Sequence, residues 1–261
     1  MKITFLGLSC FHIESATGHS ILLDPYDDSQ DYTLGVRFPT HLADGRPLGA
    51  NLLLVSEPDA DHAGVPRGLL EQAKATRPFE PVFPGLDLRG TLLYEWSGDA
   101  CIGYHFTVDG YRCLHLSDMP HTLRAAQLQE IGTVDIVFMP APKVPRDGID
   151  PSVAKNLALL QPRYVVWAHH LAPPDLPETT DREEIVRYFQ DYFALHAAGG
   201  KNYTGRDSFL ALAYVWHNSL QAHACIGGEI LQSPIVTLPT HTPKKLPLQS
   251  LLFRSMLGTP Y

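Results

Sequence analysis

Residues 54–66 read LVSEPDADHAGVP (Leu54 to Pro66), and the fold is decided on this stretch. The residues leading into it, Asn51–Val55 (NLLLV), form an unbroken apolar run, as expected of a strand covered on both faces. From Ser56 to Pro66 the chain turns polar, and Arg67–Ala75 reads as a helix. Layered α/β proteins place chemistry on loops that leave the carboxyl end of a buried strand. This loop gathers Glu57, Asp59, Asp61 and His62 within six residues. Two carboxylates about 4 Å apart repel by roughly 4 kcal/mol at an effective dielectric near 20. If the acids converge, they must bind a cation, share protons or splay into water.

Working outward, the amino-terminal side reads as short strands at Lys2–Leu6, Cys10–Glu14 and Ser20–Leu23, the last stopped by Asp24-Pro25. On the carboxyl side, strands are expected at Thr91–Trp96, Gly103–Val108, Tyr111–His115, Val134–Met139 and Tyr164–Trp167, with Asp109-Gly110 as a hairpin turn. Helices are expected at Leu123–Glu130, Ser152–Leu160 and Arg182–Ala197, the second opened by the cap pair Asp150-Pro151. Strands that alternate with helices after a strand-rich start indicate an α/β layered domain over residues 1–200. After Gly199-Gly200 the chain becomes proline-rich and loses periodicity, apart from the apolar Phe209–Trp216. Residues 201–261 read as an extension that packs on the domain or on a partner subunit, a route to a homo-oligomer.

The 261 residues are long enough to bury a full core, and 44% hydrophobic with 18% charged residues is an ordinary globular balance. The net charge of -8 (20 basic, 28 acidic residues) argues against nucleic acid or an anionic membrane as partner; a small-molecule substrate is expected. No signal-peptide pattern and no apolar run near 18 residues is visible, so a cytoplasmic location is expected. Cys10, Cys101, Cys113 and Cys225 form no CxxC pair and read as buried free thiols.

Several ordered segments resemble the metallo-β-lactamase superfamily, especially its small lactonase-like branch of Zn-dependent hydrolases. That family's loop reads His-x-His-x-Asp-His after a strand ending in Val-Ser or Val-Thr. Here Val55-Ser56, Asp61 and His62 match it, while Glu57 and Asp59 stand where the first two histidines would be. The opening LGLSCFHIES…ILLDP is similar to the family's first hairpin, with Asp24 as its strand-end aspartate and Leu8 in place of a frequent histidine. IGYHFTVDGYRCLHLSDM is similar to the strand pair that leads to the family's bridging aspartate, here Asp118. YVVWAHH is similar to the late strand ending in the last ligand, matched by His169 with His170 second. The family's remaining histidine falls at Ser97.

The resemblance implies an αββα sandwich of two mixed β-sheets flanked by helices, built around a two-metal centre. One half of that centre reads Glu57, Asp59 and Ser97 here, with Glu95 or Asp99 as replacement acids nearby. The other half, Asp61, His62 and His169 with Asp118, is complete. Such a set suits one divalent ion, zinc, manganese or iron. Asp61, Glu57 and Asp59 are the acids assigned to catalysis, with Glu57 or Asp59 as general base on a water whose pKa the ion lowers. The expected activity is hydrolysis of an ester, lactone, amide or phosphodiester, the last disfavoured by the acidic pocket. Two alternatives stand beside it. One is an inactive or metal-free relative that binds a partner, and the other is metal-free acid–base chemistry by paired carboxylates.

Other polar residues carry simpler expectations. His115 reads as a structural histidine behind the site, His12 as a satisfied core histidine, His105 as a strand-surface residue and His121 as solvent-exposed. Lys143 and Arg146 are candidates to anchor an anionic substrate, and no GxSxG pattern supports Ser9 or Ser117 as a nucleophile.

Overall fold

The structure is a computed structural model that describes residues 1–27, 38–42, 44–64, 74–75, 86–140, 151–170, 181–196, 216, 228–231, 235–239 and 247–253. Strands β1 (Lys2–Gly7), β2 (Cys10–Glu14) and β3 (Ser20–Leu23) form an antiparallel meander. β3 then pairs in parallel with β4 (Leu52–Leu54), and β4 with β5 (Lys74–Ala75). The short helix α1 (Ala60–Ala63) follows β4. Strands β6 (Leu88–Tyr94), β7 (Ala100–Val108) and β8 (Tyr111–His115) form a second meander, continued in parallel by β9 (Ile136–Pro140) and β10 (Tyr164–Ala168). Helices α2 (Ala125–Ile131) and α3 (Pro151–Leu160) connect these parallel strands, and α4 (Arg182–His196) follows β10.

The segment after residue 200 supplies β11 (Gly228–Leu231), β12 (Ile235–Thr237) and β13 (Gln249–Phe253). β12 pairs antiparallel with β1, whereas β13 lies parallel to β10 and carries β11 at its other side. The described part of the extension is therefore woven into both sheets. The resulting orders are β12-β1-β2-β3-β4-β5 and β11-β13-β10-β9-β8-β7-β6, two mixed sheets as the sandwich requires. Three-residue β12 and four-residue β11 are too short to show an alternating pattern, so periodicity passes over them. One expectation needs correction. Lys74–Ala75, read as the end of a helix, is a strand beside β4; the sheet edge offers those two residues backbone partners that local propensity does not register.

Alternate residues of the two sheets meet in a common core. Ile3, Phe5, Phe11, Ile13 and Leu23 face Phe106, Ile136, Phe138 and Val166. Phe11 and Phe138 meet edge to face at 4.9 Å between ring centroids. Truncating one such phenylalanine costs about 3–5 kcal/mol. Cys10, Cys101 and Cys113 are buried free thiols, while Cys225 lies outside the described residues. Among the described residues, no helix is long and apolar enough to cross a membrane.

Candidate metal centre

The carboxyl ends of β3, β4, β8 and β10 converge on one rim of the sandwich, and each delivers polar side chains there. At three of them the backbone turns left-handed to do so: Asp24 has φ 39°, Ser117 φ 53° and His169 φ 61°. Non-glycine residues in that region cost on the order of 1–3 kcal/mol each, and such strain collects at functional sites. The first hairpin ties into the same rim. The Leu8 N–H donates to the His170 carbonyl (2.9 Å), and the His169 N–H donates to the Leu8 carbonyl (2.7 Å).

Asp61, His62, Asp118 and His169 come together there, each offering one ligand atom, all within 4.8 Å of one another. His169 Nε2 lies 3.1 Å from Asp61 Oδ2 and 3.2 Å from Asp118 Oδ2. His62 Nε2 lies 3.6 Å from Asp118 Oδ1 and 3.8 Å from Asp61 Oδ2. Ligand atoms about 2.0–2.2 Å from one tetrahedral ion sit roughly 3.4 Å apart, so these four edges bracket the spacing an ion needs. Mixed imidazole and carboxylate donors suit zinc, manganese or iron.

His62 is held from behind. Ionised Asp24 only accepts hydrogen bonds, so the imidazole nitrogens that face it must donate. His62 Nδ1–H donates to Asp24 Oδ2 at 2.8 Å and His115 Nε2–H donates to the same oxygen at 2.6 Å. The Ser56 hydroxyl adds a third donor at 2.6 Å, the Ser56 N–H reaches Oδ1 at 2.7 Å, and the Ser117 hydroxyl lies 2.8 Å from that of Ser56. Burial opposes the Asp24 charge, yet the two histidines outweigh it and hold the carboxyl well below the usual range. With Nδ1 committed, Nε2 is the nitrogen left to bind a ligand, the orientation metal-binding histidines take from a supporting carboxylate.

Buried Glu57 faces that nitrogen. Its Oε1 is 2.7 Å from His62 Nε2 but off hydrogen-bond alignment, and Glu57 Oε2 and His62 Nε2 are both buried without a hydrogen-bond partner among the described residues. Burial lowers the His62 pKa, but Asp24, Asp118 and Glu57 more than compensate, so the imidazole holds a proton well above its ordinary range. Asp61 is pushed up by burial and pulled down further by His169 and His62, ending below the ordinary value. Buried, misaligned acceptors around a protonated imidazole are what a cation site looks like when protons carry the charge. The residues present fit a divalent ion.

The other matched positions diverge. Asp59 is exposed at the start of α1, makes no side-chain cap there, and belongs neither to the Asp61, His62, Asp118 and His169 group nor to Asp24, His62 and His115, the two groups able to hold a metal among the described residues. Ser97 is exposed in the β6–β7 turn, where its hydroxyl donates to Asp99 Oδ2 (2.9 Å). Glu95 lies closer in: partial burial, then Glu57, Asp59 and Asp118, raise its pKa. His170 is buried against the Phe253 carbonyl, and burial lowers its pKa to about 4. His12 is buried with Nε2 on the Gly49 carbonyl, His105 bonds Thr91, and His121 is exposed. Lys143 and Arg146 lie outside the described residues. Sequence reasoning placed Asp24 and His115 near the site but missed that they share one oxygen with His62 and Ser56. Its only trace is a polar residue at the end of each inner strand.

Comparison with known proteins identifies the fold family. No curated protein matches the sequence. The chain is similar to the crystal structure of a candidate Zn-dependent hydrolase of the metallo-β-lactamase superfamily from Thermotoga maritima. That match has a TM-score of 0.57 and 18% identity, over 98% of this chain and 100% of that one. It also resembles a metallo hydrolase from the archaeon Ignicoccus hospitalis KIN4/I (TM-score 0.44, 18% identity, 74% of this chain and 91% of that one). Human tRNase Z, short form, is a further likeness (TM-score 0.45, 12% identity, 65% and 92%). A family model described as the beta-lactamase superfamily domain matches residues 2–169, and with the two mixed sheets and the His/Asp rim in place, this chain belongs to the metallo-β-lactamase superfamily.

Proposed function

We propose that the protein is a hydrolase dependent on one divalent ion held by Asp61, His62, Asp118 and His169. The observation that carries this reading is the convergence of those four ligand atoms within 4.8 Å, with His62 Nε2 turned inward by Asp24. Zinc, manganese or iron would polarise the scissile carbonyl or phosphoryl group and bring the pKa of a water toward about 7. Glu57 is the general base: it is buried, its Oε2 lacks a hydrogen-bond partner, and it borders the ligand cluster. The proton it removes passes to the leaving group. Asp24, with His115 and Ser56 behind it, keeps His62 in the correct tautomer throughout the cycle. One ion rather than two is favoured because Asp59 and Ser97 stand exposed and neither belongs to a group able to hold a metal among the described residues. A neutral ester, lactone or amide suits the acidic surroundings better than a phosphodiester.

The test is a panel of ester, lactone, amide and phosphodiester substrates assayed before and after chelation. Hydrolysis should disappear on chelation and return with zinc, manganese or iron. Chelator-resistant hydrolysis would instead favour acid–base chemistry by the carboxylates alone, and inactivity of metal-loaded protein across the panel would favour a binding role.

A further inference from the structure

The register of the β6–β7 hairpin puts Leu88, Gly90, Leu92 and Tyr94 on one face of the large sheet, opposite Phe106, Tyr104, Ile102 and Ala100. The first part of that face is covered. Leu88, Tyr104 and Phe106 lie in the core between the sheets, and Ile102 packs against it. The cover ends at the loop that carries Glu57: the Val55 carbonyl accepts the Tyr104 hydroxyl (2.8 Å), and the Ser56 carbonyl accepts the Ile102 N–H (2.8 Å). Beyond this loop the same face continues bare, with Leu92 55% and Tyr94 40% exposed, and Trp96 in the turn 48% exposed. Only one other large hydrophobic side chain among the described residues, Leu159, is comparably exposed, so the apolar exposure is concentrated on this hairpin.

This shelf abuts the site. Leu92 pairs with Ile102, whose N–H meets the Ser56 carbonyl one residue before Glu57, and between Tyr94 and Trp96 partial burial and then the charges of Glu57, Asp59 and Asp118 raise the Glu95 pKa. The surrounding charge also selects. Among the described residues, Asp59, Glu95 and Asp99 make no ion pair with lysine or arginine and Glu57 pairs with His62 alone, so an anionic head group on the shelf, away from the ion, would meet net repulsion there.

We propose that the Leu92–Tyr94–Trp96 shelf is the subsite for the hydrocarbon or aryl arm of a neutral or cationic substrate, whose reacting group then lies at Glu57 and Asp118. The identity of the reacting group rests on the hydrolase reading above; binding of the arm does not. A methylene wholly removed from water gains about fourfold in affinity, and one lying on a one-sided shelf gains roughly half of that factor.

The test uses tryptophan fluorescence of the purified protein. Trp167 and Trp216 are fully buried, which leaves Trp96 as the solvent-facing reporter. Butyl- and octyltrimethylammonium, 1-octanol and octanoate are titrated below micelle formation, with and without chelator. The octyl cation should shift the Trp96 emission to the blue and bind roughly tenfold tighter than the butyl cation. 1-Octanol should bind as well, and in the chelated protein octanoate should bind at least about tenfold more weakly than the octyl cation. Leu92→Ser/Tyr94→Ser, which keeps Trp96 and alters only exposed side chains, should abolish the chain-length dependence. The proposal is overturned by octanoate binding the chelated protein as tightly as the cation does, by no chain-length effect, or by unchanged binding to the double variant. An emission shift that tracks protein concentration would also overturn it, since the face would then cover a second copy of the chain. Octyl binding that survives chelation while no substrate is hydrolysed would sink the hydrolase reading and leave the shelf standing. Hydrolysis without any chain-length preference would sink the shelf alone.

Discussion

Asp24→Asn is the sharpest perturbation of the site, because it keeps the shape of the residue that orients His62 and removes its charge. Asp24 Oδ2 takes donors from His62 at 2.8 Å, His115 at 2.6 Å and Ser56 at 2.6 Å, and Oδ1 takes the Ser56 N–H at 2.7 Å. An asparagine offers one acceptor oxygen and an NH₂ group that can only donate. With its oxygen toward the histidines, the amide N–H₂ meets the Ser56 N–H; flipped, it meets all three other donors. The better orientation still loses one charge-assisted bond, worth about 1.5–3 kcal/mol, and the attraction of two imidazoles for a buried anion. Breaking a buried ionic network typically costs about 3–5 kcal/mol, and for a chain of this size roughly 3 kcal/mol lowers Tm by about 6–12 °C. A metal-binding histidine that loses its supporting carboxylate loses about 10–100-fold in metal affinity. Differential scanning calorimetry and competition against a chromophoric chelator read the two effects separately. A variant with lowered Tm and metal affinity within twofold of wild type would refute the orienting role. An unchanged Tm would refute the buried network itself.

Further outcomes follow from the same contacts. Glu57→Gln should retain the ion and lower kcat by about 10²–10⁴, as loss of a general base does; equal kcat in a steady-state assay would remove Glu57 from that role. Metal uptake must displace the proton that His62 holds, so apparent affinity should rise with pH through neutrality and approach a plateau above the raised His62 pKa, as measured by titration calorimetry in several buffers; a pH-independent affinity would contradict this. In the metal-free protein, the raised His62 pKa contributes stability that is complete below its unfolded value and lost as pH climbs through the folded one. Depressed Asp24 contributes stability above its unfolded value, lost as pH falls through the folded one. Melting curves of chelated protein should therefore show a maximum between those limits. Gly64→Ala should lower Tm and metal affinity together, because an added Cβ would fall 1.7 Å from the Asp27 backbone nitrogen and push away α1, which carries Asp61 and His62.

Much of this was legible in the sequence. The apolar run before Ser56 places the loop at the end of a buried strand, and the resemblance of that loop and of two later segments to the family is what singles out Asp61, His62, Asp118 and His169. The contacts among them are less legible. His115 and Asp24 are 91 residues apart, and only the parallel stacking of strand ends brings both to one oxygen with His62. Nothing in the spacing of Glu57 and Asp59 separates the two, yet the turn into α1 buries the first against His62 and leaves the second in solvent. The strands after residue 200 were illegible for another reason. Added at the margins of the two sheets, with β13 alone flanked on both sides, they draw their stability from neighbours rather than from local pattern.

The central claim is that a single ion is held by Asp61, His62, Asp118 and His169. Elemental analysis of the purified protein, repeated on His62→Gln/Asp118→Asn, tests it directly. The account predicts one equivalent of zinc, manganese or iron per chain in the wild type and none in the double variant. No metal in either protein, or two equivalents in the wild type, would contradict it.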